Sequence, residues 1–252
     1  MAFQAGKDTT VLVNDKDLSS YFNNTSESHS KAVSDITTFG KSFKVYKDTQ
    51  RDGTLNLSGF YDGAVDASDE ELQALLSSSA TNIVSTYDGP AAVGQAGCSL
   101  QVIETNYSLS SPVADMVTIT ADFQSTGGIH RSRLLTTPTA FTVTANSTGY
   151  DAGSSPASTA NGWTAYLHIL ANSRSANVDI AVQDSADNST FAALTGGSAF
   201  ATIATTTTAS QKIVSTSTTA TVRRYLRVAV TLAAGTGSIS IAVLFARDTP
   251  NA

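Results

Sequence analysis

The stretch Asp35–Asp62 constrains the fold most strongly, because two contrasting patterns meet within it. Residues 35–52 are polar, carry charges of both signs and include only scattered apolar side chains. Thr54–Phe60 then alternates, with Leu55 and Leu57 on one face, which is the period of a strand that buries one side. Loops longer than about a dozen residues are usually functional or disordered. We therefore predict a long loop or extended hairpin, held by a strand, whose isolated aromatic residues dock on a partner.

Other segments of the first half of the chain also alternate or form short apolar runs, and turn residues separate them. A turn at Asn14-Asp15 and the sequence Asp88-Gly89-Pro90 are examples of such separators. This pattern is typical of antiparallel strands. The strands predicted in this half are Thr9–Val13, Thr54–Phe60, Asn82–Tyr87, Cys98–Leu109 and Val117–Phe123.

One helix interrupts the strands, and it begins at the sequence Ser-Asp-Glu-Glu starting at Ser68. This sequence fits a capping box, in which Ser68 caps free backbone N–H groups and Glu71 reaches back to it. Leu72, Leu75 and Leu76 follow at helical spacing and form a narrow apolar stripe. The helix is short, so we expect it to be stabilised by packing on a sheet.

The second half of the chain contains strands without helices. Ser125–Arg133 is interpreted as the end of the first domain, and residues 136–160 as a connector that includes the first strand of a second domain. Evenly spaced strands separated by turns predict a β-sandwich. We therefore predict a mainly β protein with two domains, at 1–133 and 134–252. The strands predicted in the second are Phe141–Ala145, Trp163–Leu170, Val178–Asp184, Gln211–Ser215, Tyr225–Leu232 and Ile239–Phe245.

The charge distribution argues against nucleic-acid binding through a basic face. The 252-residue chain has a net charge of −6, with 16 acidic and nine basic residues up to Arg133 and five acidic and six basic residues after it. Binding to phosphate backbones requires clustered Lys and Arg. The acidic half has either a solvated surface that aids solubility or a surface with a specific role. No apolar segment at the start resembles a signal peptide, so synthesis in a cytoplasm without secretion is expected, and no stretch is long enough for a membrane span.

No catalytic or metal-binding pattern stands out, and we predict neither an enzyme nor a cofactor. His29, His130 and His168 are far apart, and His168 alternates with apolar residues, which favours a core or sheet-surface histidine over a ligand. Cys98 is the single cysteine and is expected to be a buried small apolar residue. Residues 184–188 are interpreted as an Asx-rich turn and not as a calcium loop. A Ser-His-Asp arrangement stays open in so serine-rich a chain, although no GxSxG motif occurs.

An ordered set of segments resembles a known family. GKDTTVLVNDKDLSSYFNNTSES (Gly6–Ser28), DITTFGKSFKVY (Asp35–Tyr46) and RDGTLNLSGFYDG (Arg51–Gly63) resemble the major tail tube proteins of long-tailed, non-contractile bacteriophages. The resemblance covers about the first half of the chain. It implies packed antiparallel sheets flanked by one helix, with the arm projecting from them. More weakly, Gln183–Leu194 and Arg223–Leu232 resemble the β-sandwich modules appended to phage structural proteins.

The resemblance implies a structural virion protein of the viral tail, which forms stacked hexameric rings by self-assembly after synthesis in the host cytoplasm. DNA would pass through an acidic lumen without specific binding. The expected partners are further copies of the chain and other tail proteins, namely the tape measure, tail terminator and tip proteins. The C-terminal sandwich would lie on the tube exterior. The residues assigned to the inter-subunit arm are Ile36, Phe39, Phe43, Tyr46, Lys47 and Arg51.

An alternative from a different class is a two-module protein that binds a surface or carbohydrate through its C-terminal sandwich. Trp163, Tyr166 and Phe191 could stack on a host-surface glycan, although a sandwich could equally bury Trp163. Arg223, Arg224 and Arg227 form the one basic concentration. They are interpreted either as solvent-facing strand residues or as an inter-subunit contact with an acidic patch.

Overall fold

The computed structural model describes residues 6–78, 82–153, 162–217 and 219–247, and within them the protein is mainly antiparallel β. This confirms the predicted fold class. The described residues also form two three-residue 3-10 helices, Gly6–Asp8 and Ser19–Tyr21, and none of their helices is long and apolar enough to cross a membrane. The strands and the α-helix are β1 (Thr10–Val13), β2 (Lys16–Asp17), β3 (Phe22–Asp35), β4 (Tyr46–Phe60), α1 (Ser68–Ser77), β5 (Asn82–Tyr87), β6 (Ala96–Ser110), β7 (Thr118–Phe141), β8 (Ala145–Asn146), β9 (Tyr150–Asp151), β10 (Trp163–Asn172), β11 (Val178–Ser185), β12 (Ala192–Ala193), β13 (Gln211–Val214), β14 (Tyr225–Leu232) and β15 (Ile239–Arg247).

The chain divides into two compact units that are interleaved in sequence. The sandwich unit contains the residues up to Ser20, Asn82–Leu100 and the residues from His130 onward. The hairpin unit contains the residues from Tyr21 to the end of α1 and Gln101–Ile129. The boundary expected near residue 133 therefore does not separate these compact units, because β6 and β7 each contribute residues to both.

Two sheets pack face to face in the sandwich unit. One sheet has the order β13-β10-β15-β7-β6-β5-β1-β2, and the other has the order β12-β11-β14-β8, with β9 also paired to β14. Trp163 and Leu167 from β10, Ile241 and Phe245 from β15, and Val228 from β14 belong to one buried cluster. Burial of such large apolar side chains between two sheets is the main stabilising contribution in a sandwich. Five of the six strands predicted in the C-terminal half lie in these sheets, and β1, β2, β5, β6 and β7 share one of the sheets with them. The sixth, Phe141–Ala145, does not form, because β7 ends at Phe141 and residues 142–144 are a bend.

The strands β10 and β15 are buried on both faces. Trp163 and Leu167 lie in the cluster between the sheets, whereas Tyr166 belongs to a second cluster on the opposite face, together with Leu12 and Tyr87. This explains why the segment WTAYLHIL reads as a nearly continuous apolar run, since a strand with two buried faces has no polar side.

The strand β7 continues through the segment that was expected to end the first domain. It extends for 24 residues, and its later part pairs with β15, from Arg133↔Phe245 to Phe141↔Ile239. Pro138 lies where this pairing shifts in register, between the pairs Ile241↔Thr139 and Val243↔Thr136. A proline without an N–H is tolerated in a sheet at such a bulge. The strands β10 and β15 consequently share a sheet with β5 and β1 instead of standing in a separate sheet.

The hairpin unit is built on the antiparallel pair β3 and β4. The base of β4 pairs with the first part of β7, with Leu55 opposite Phe123 and Leu57 opposite Ala121. These four side chains are buried, as the alternation of β4 predicts. Gly59 is required at the base of the hairpin, because a Cβ atom there would collide with the backbone of Tyr21.

The helix α1 forms where predicted, but the predicted capping box is wrong. Ala67 occupies the N-cap position and makes no side-chain cap hydrogen bond. Ser68 is instead the first helical residue, and its hydroxyl donates to the Phe60 carbonyl oxygen and accepts from Asp62 N–H, each at 3.2 Å. The connection from β4 uses the hydroxyl that would otherwise cap the helix. Leu72 and Leu75 are buried, whereas Leu76 is largely exposed.

Candidate self-association surface

The hairpin of β3 and β4 is long, ordered and exposed. Its strands pair from Phe22↔Gly59 at the base to Asp35↔Tyr46 near the tip, with a register shift between Lys31 and Val33. The fourteen steps along β4 correspond to a length of about 45 Å. From Ser26 to Asp52 every residue of the hairpin is exposed. The sequence left a long loop and an extended hairpin open for residues 35–52, and the structure has the extended hairpin.

The ten residues of the tip, 36–45, are fixed by hydrogen bonds among themselves. Ile36 N–H donates to the Val45 carbonyl oxygen at 2.8 Å, and Val45 N–H donates to Thr37 Oγ1 at 2.8 Å. The Asp35 carboxylate accepts from Thr37 N–H at 2.9 Å and from the Thr37 hydroxyl. These bonds from Thr37 hold the pKa of Asp35 below its ordinary value, and Lys44 at 3.7 Å acts in the same direction. The tip is thus a defined turn with a fixed presentation of its side chains.

Large apolar side chains project from this ordered tip into solvent. Phe39 is fully exposed, Phe43 is 85% exposed, and Ile36 and Tyr46 are each about half exposed. Gly40 has a φ of +82°, a left-handed conformation that turns the chain immediately after Phe39 at little cost. Isolated exposed apolar residues are ordinary, but a group of them at one end of a hairpin indicates a contact surface.

All six residues assigned to the arm lie on this hairpin, and the structure leaves all six side chains exposed. Lys47 and Arg51 flank the aromatic tip, each on β4. Residues 31–52 include five basic and three acidic residues, in contrast to the acidic remainder of the first half of the chain. Lys31 forms an ion pair with Asp48 at 2.8 Å within the hairpin. The tip is therefore apolar and basic.

The three residues proposed to stack on a glycan do not form a common surface. Trp163 is 1% exposed, stacks on Phe245 with ring centroids 5.7 Å apart, and donates from Nε1 to the Thr195 carbonyl oxygen at 3.0 Å. Tyr166 is fully buried beside His130. Neither ring can stack on a ligand, because the core covers both faces. Phe191 is partly exposed, and the guanidinium of Arg227 lies 4.0 Å above its ring.

The arginine cluster has partners within the chain. Arg224 binds the Asp151 carboxylate through Nε at 2.6 Å and a terminal nitrogen at 2.7 Å, and these bonds lower the pKa of Asp151 to about 2. The Arg227 Nε donates to Gln183 Oε1 at 2.9 Å, and Arg223 lies 3.9 Å from the Asp184 carboxylate. These contacts favour the interpretation as strand residues of the sandwich over an inter-subunit contact.

His168 is a core histidine, as predicted. It is fully buried, and burial lowers its pKa to about 4, so the ring is neutral at pH 7. Its Nδ1 lies 2.7 Å from the Asn14 carbonyl oxygen and its Nε2 lies 2.8 Å from the Ser85 hydroxyl. The hydrogen-bond network continues from the Ser85 hydroxyl to that of Ser99 and from there to that of Ser132, with 2.9 Å between the oxygen atoms in each step. This serine–histidine contact is sealed from solvent, so it satisfies buried polar groups and does not form an accessible nucleophile.

The Asx-rich segment after β11 is a turn. The Asp187 carboxylate accepts from Ser189 N–H at 2.9 Å and Thr190 N–H at 2.8 Å, and these bonds lower its pKa. Asn188 adopts a φ of +60°, a conformation that asparagine tolerates. Cys98 is buried, in agreement with its expected role as a small apolar residue.

Sequence reasoning missed one buried acid, Glu104 in β6. It is 3% exposed, and neither carboxylate oxygen has a hydrogen-bond partner among the described residues. Burial, with a smaller contribution from Asp122, raises its pKa to about 8, so Glu104 is mostly protonated at pH 7. The signal was present in the alternation of β6, which places Glu104 on the same face as Cys98, Leu100 and Val102.

Comparisons with known proteins give only distant structural similarities. No protein-family model and no curated protein matches the chain. A protein from the virion of a native gene transfer agent particle has a TM-score of 0.43 at 12% identity, over 51% of this chain and 98% of its own. The SPP1 tail tube has a TM-score of 0.44 at 10% identity, over 51% of this chain and 78% of its own. The SPP1 Dit protein, described as a hub of the adsorption apparatus, has a TM-score of 0.38 at 11% identity, over 94% of this chain and 98% of its own. Similarities of this size do not establish a function.

Proposed function

We propose that the protein is a structural subunit of a phage tail that assembles with copies of itself into stacked hexameric rings, forming the tube through which DNA passes. Two features support this proposal. The ordered N-terminal segments resemble tail tube proteins, and the chain has a long exposed arm of the kind that such an assembly requires. The sequence shows no catalytic motif, and the buried His168–Ser85 contact gives no access to a substrate, so we infer a non-enzymatic role.

Of these two features, the apolar tip of the hairpin is the structural observation that carries the proposal. Phe39 and Phe43 are held away from the core by two exposed strands, in a turn fixed by its own hydrogen bonds. Aromatic side chains presented in this way supply binding energy when a partner buries them. A contact that joins the tip of one copy to a different surface of the next would be a head-to-tail contact, and such a contact can extend into a filament.

Further parts of the proposal follow from the resemblance. Residues 1–133 would form the ring and tube, and residues 134–252 would lie on the exterior. The acidic balance of the first half suits a lumen that repels DNA, and other partners would be the tape measure, tail terminator and tip proteins. The assembled protein would lie in the virion tail after synthesis in the host cytoplasm.

The alternative, a surface- or carbohydrate-binding module, has less support. Of the three aromatic residues assigned to it, Trp163 and Tyr166 are buried, and Phe191 alone is partly accessible. A glycan array probed with the full-length protein tests it directly. Binding that is lost in Phe191→Ala but kept in Val143→Ser, a change at another exposed apolar residue, would favour the alternative.

Negative-stain electron microscopy of the purified protein tests the proposal. We expect rings or tubes from the full chain, and a folded protein without tubes when residues 35–47 are replaced by a short Gly-Ser turn. The matched control is Val143→Ser, which removes an exposed apolar side chain from the sandwich unit and should leave tubes intact. Uniform small particles from the full chain at high protein concentration would contradict the proposal, and tubes formed by the shortened hairpin would contradict the role of the arm.

A further inference from the structure

The hairpin unit has further exposed apolar residues, in two loops at the end of β4 opposite to the tip. Residues 61–67, which follow β4, lie beside residues 111–117, which precede β7, because Phe60 pairs with Thr118 and Tyr61 N–H donates to the Val117 carbonyl oxygen at 3.1 Å. Val65 and Val113 are 81% and fully exposed, and Met116 is also largely exposed. We call Val65, Val113 and Met116 the base patch.

Hydrogen bonds fix the loops that present the base patch. Ala64 N–H donates to Asp62 Oδ1 and Asp66 N–H donates to Glu70 Oε2, each at 2.9 Å. Met116 N–H donates to Asp115 Oδ1 at 2.7 Å. Binding to such a surface requires little ordering of the loops, so less of the contact energy is lost to conformational entropy.

The charges around the base patch complement those of the tip. The tip, residues 36–45, together with the adjoining Tyr46 and Lys47, contains three lysines and no acidic residue, and Asp35 and Asp48 border this segment. Residues 61–71 and 111–117 together contain six acidic residues and no basic residue. The tip and the base patch therefore match in two independent properties, since both are apolar and their flanking charges are opposite.

We propose that the base patch of one copy receives the hairpin tip of another copy, with Phe39 and Phe43 packing against Val65, Val113 and Met116. This inference rests on the proposed function and identifies the surface to which the arm binds. A tip-to-tip contact would bring six lysines together, and a base-to-base contact would bring twelve acidic residues together. Head-to-tail pairing avoids both repulsions. It also gives the contact a direction, because the tip and the base patch lie at opposite ends of β4.

Complementary variants test this pairing. The tip variant Phe39→Ser/Phe43→Ser retains the base patch, and the base variant Val113→Ser/Met116→Ser retains the tip. Each side chain in these pairs is exposed, so each variant is expected to fold. We expect either variant alone to bind its own copies at least about tenfold more weakly than the full-length native protein does. Mixed in equal amounts, the two variants should form complexes of two layers, in which the tip of the base variant binds the base patch of the tip variant. Growth should stop there, because the remaining tip and base patch are both substituted.

Cysteine cross-linking gives a second measurement that does not depend on a loss of binding. Cys98 is the single native cysteine and is buried, so introduced surface thiols dominate the chemistry. Phe43→Cys mixed with Val113→Cys should give a disulfide-linked dimer under mild oxidation. Phe43→Cys mixed with Val143→Cys, another exposed site, in the sandwich unit, should not.

The outcomes separate this inference from the proposed function. Native tubes together with normal tubes from the base variant, or equal cross-linking at Val113 and Val143, would overturn the base patch while leaving tube formation intact. Failure of the native protein to assemble under any condition would overturn both. A second variant, Asp66→Lys/Asp115→Lys, should weaken stacking by reducing the charge of the base from −6 to −2, and stacking of native strength in it would also contradict the inference.

Discussion

Two antiparallel strand pairs in this protein have the same backbone structure and opposite environments. The pair β10 and β15 is buried on both faces, whereas β3 and β4 are exposed on both faces over most of their length. Both pairs satisfy their backbone hydrogen bonds by pairing. Burial differs, so β10 and β15 are stabilised by the core of their own chain, while the outer part of β3 and β4 has no core to join. This contrast suggests that one pair stabilises the subunit and the other serves contacts beyond it.

The largest effect is expected in the buried pair. Phe245→Ala removes a ring that is 2% exposed and stacked on Trp163, and loss of such a ring costs about 3–5 kcal/mol of unfolding free energy. Urea denaturation followed by fluorescence measures this, because Trp163 is the only tryptophan. A loss below about 1 kcal/mol would show that this core is not the main source of stability.

Acid should weaken the sandwich unit. The pKa of His168 is about 4 in the folded protein and about 6.5 when exposed, so the unfolded chain binds a proton that the folded chain excludes. The free energy of unfolding should fall by about 3 kcal/mol as the pH decreases from 6.5 to 4. His168→Gln should remove most of this pH dependence. An unaltered pH dependence in His168→Gln would contradict the assignment.

Alkaline pH should instead weaken the hairpin unit. The pKa of Glu104 is raised from 4.5 to about 8, so the folded protein keeps a proton that the unfolded chain releases. Its contribution to stability is therefore lost as the pH rises from about 4.5 through 8. Above pH 8, Glu104→Gln should stabilise the protein by at least about 2 kcal/mol, because it removes a buried charge. Thermal unfolding of the native protein and of Glu104→Gln at pH 6 and pH 9 measures this. The same stability difference between the two proteins at both pH values would contradict the prediction.

The smallest effect on the subunit is expected at the tip. Phe39→Ser should change the unfolding free energy of unassembled protein by less than about 0.5 kcal/mol, since the side chain is fully exposed. The same change should impair assembly, measured by sedimentation. A large loss of stability without an effect on assembly would reverse the interpretation of the two strand pairs.

Local pattern was sufficient to predict the buried strands. The predicted strands Asn82–Tyr87 and Tyr225–Leu232 coincide with β5 and β14, because alternation or apolar runs report burial directly. By contrast, β3 is absent from the strands predicted from sequence, since a strand exposed on both faces has no periodicity to detect. The course of β7 was also missed, because Pro138 suggested a connector and a register shift that accommodates proline cannot be read from sequence.

The exposed hairpin was predictable in position, and its contact with a neighbouring copy stays a prediction. Scattered aromatic residues among charges located the arm, and all six of its assigned residues are exposed. The base patch was not found, because Val65 and Val113 come from separate loops, whose bases are adjacent only through the pairing of Phe60 with Thr118. Trp163 and Tyr166 were candidates because aromatic residues suit both a core and a ligand, and composition does not distinguish the two.

The paired ladder of β3 and β4 makes the reach of the arm adjustable in discrete increments. Adding two residues to each strand would extend it by about 7 Å and keep every side chain on its original face. Adding one residue to each would invert the faces of the added end. Because every residue from 26 to 52 is exposed, such changes need little repacking. The number of residue pairs in the hairpin therefore sets the distance between its tip and its base.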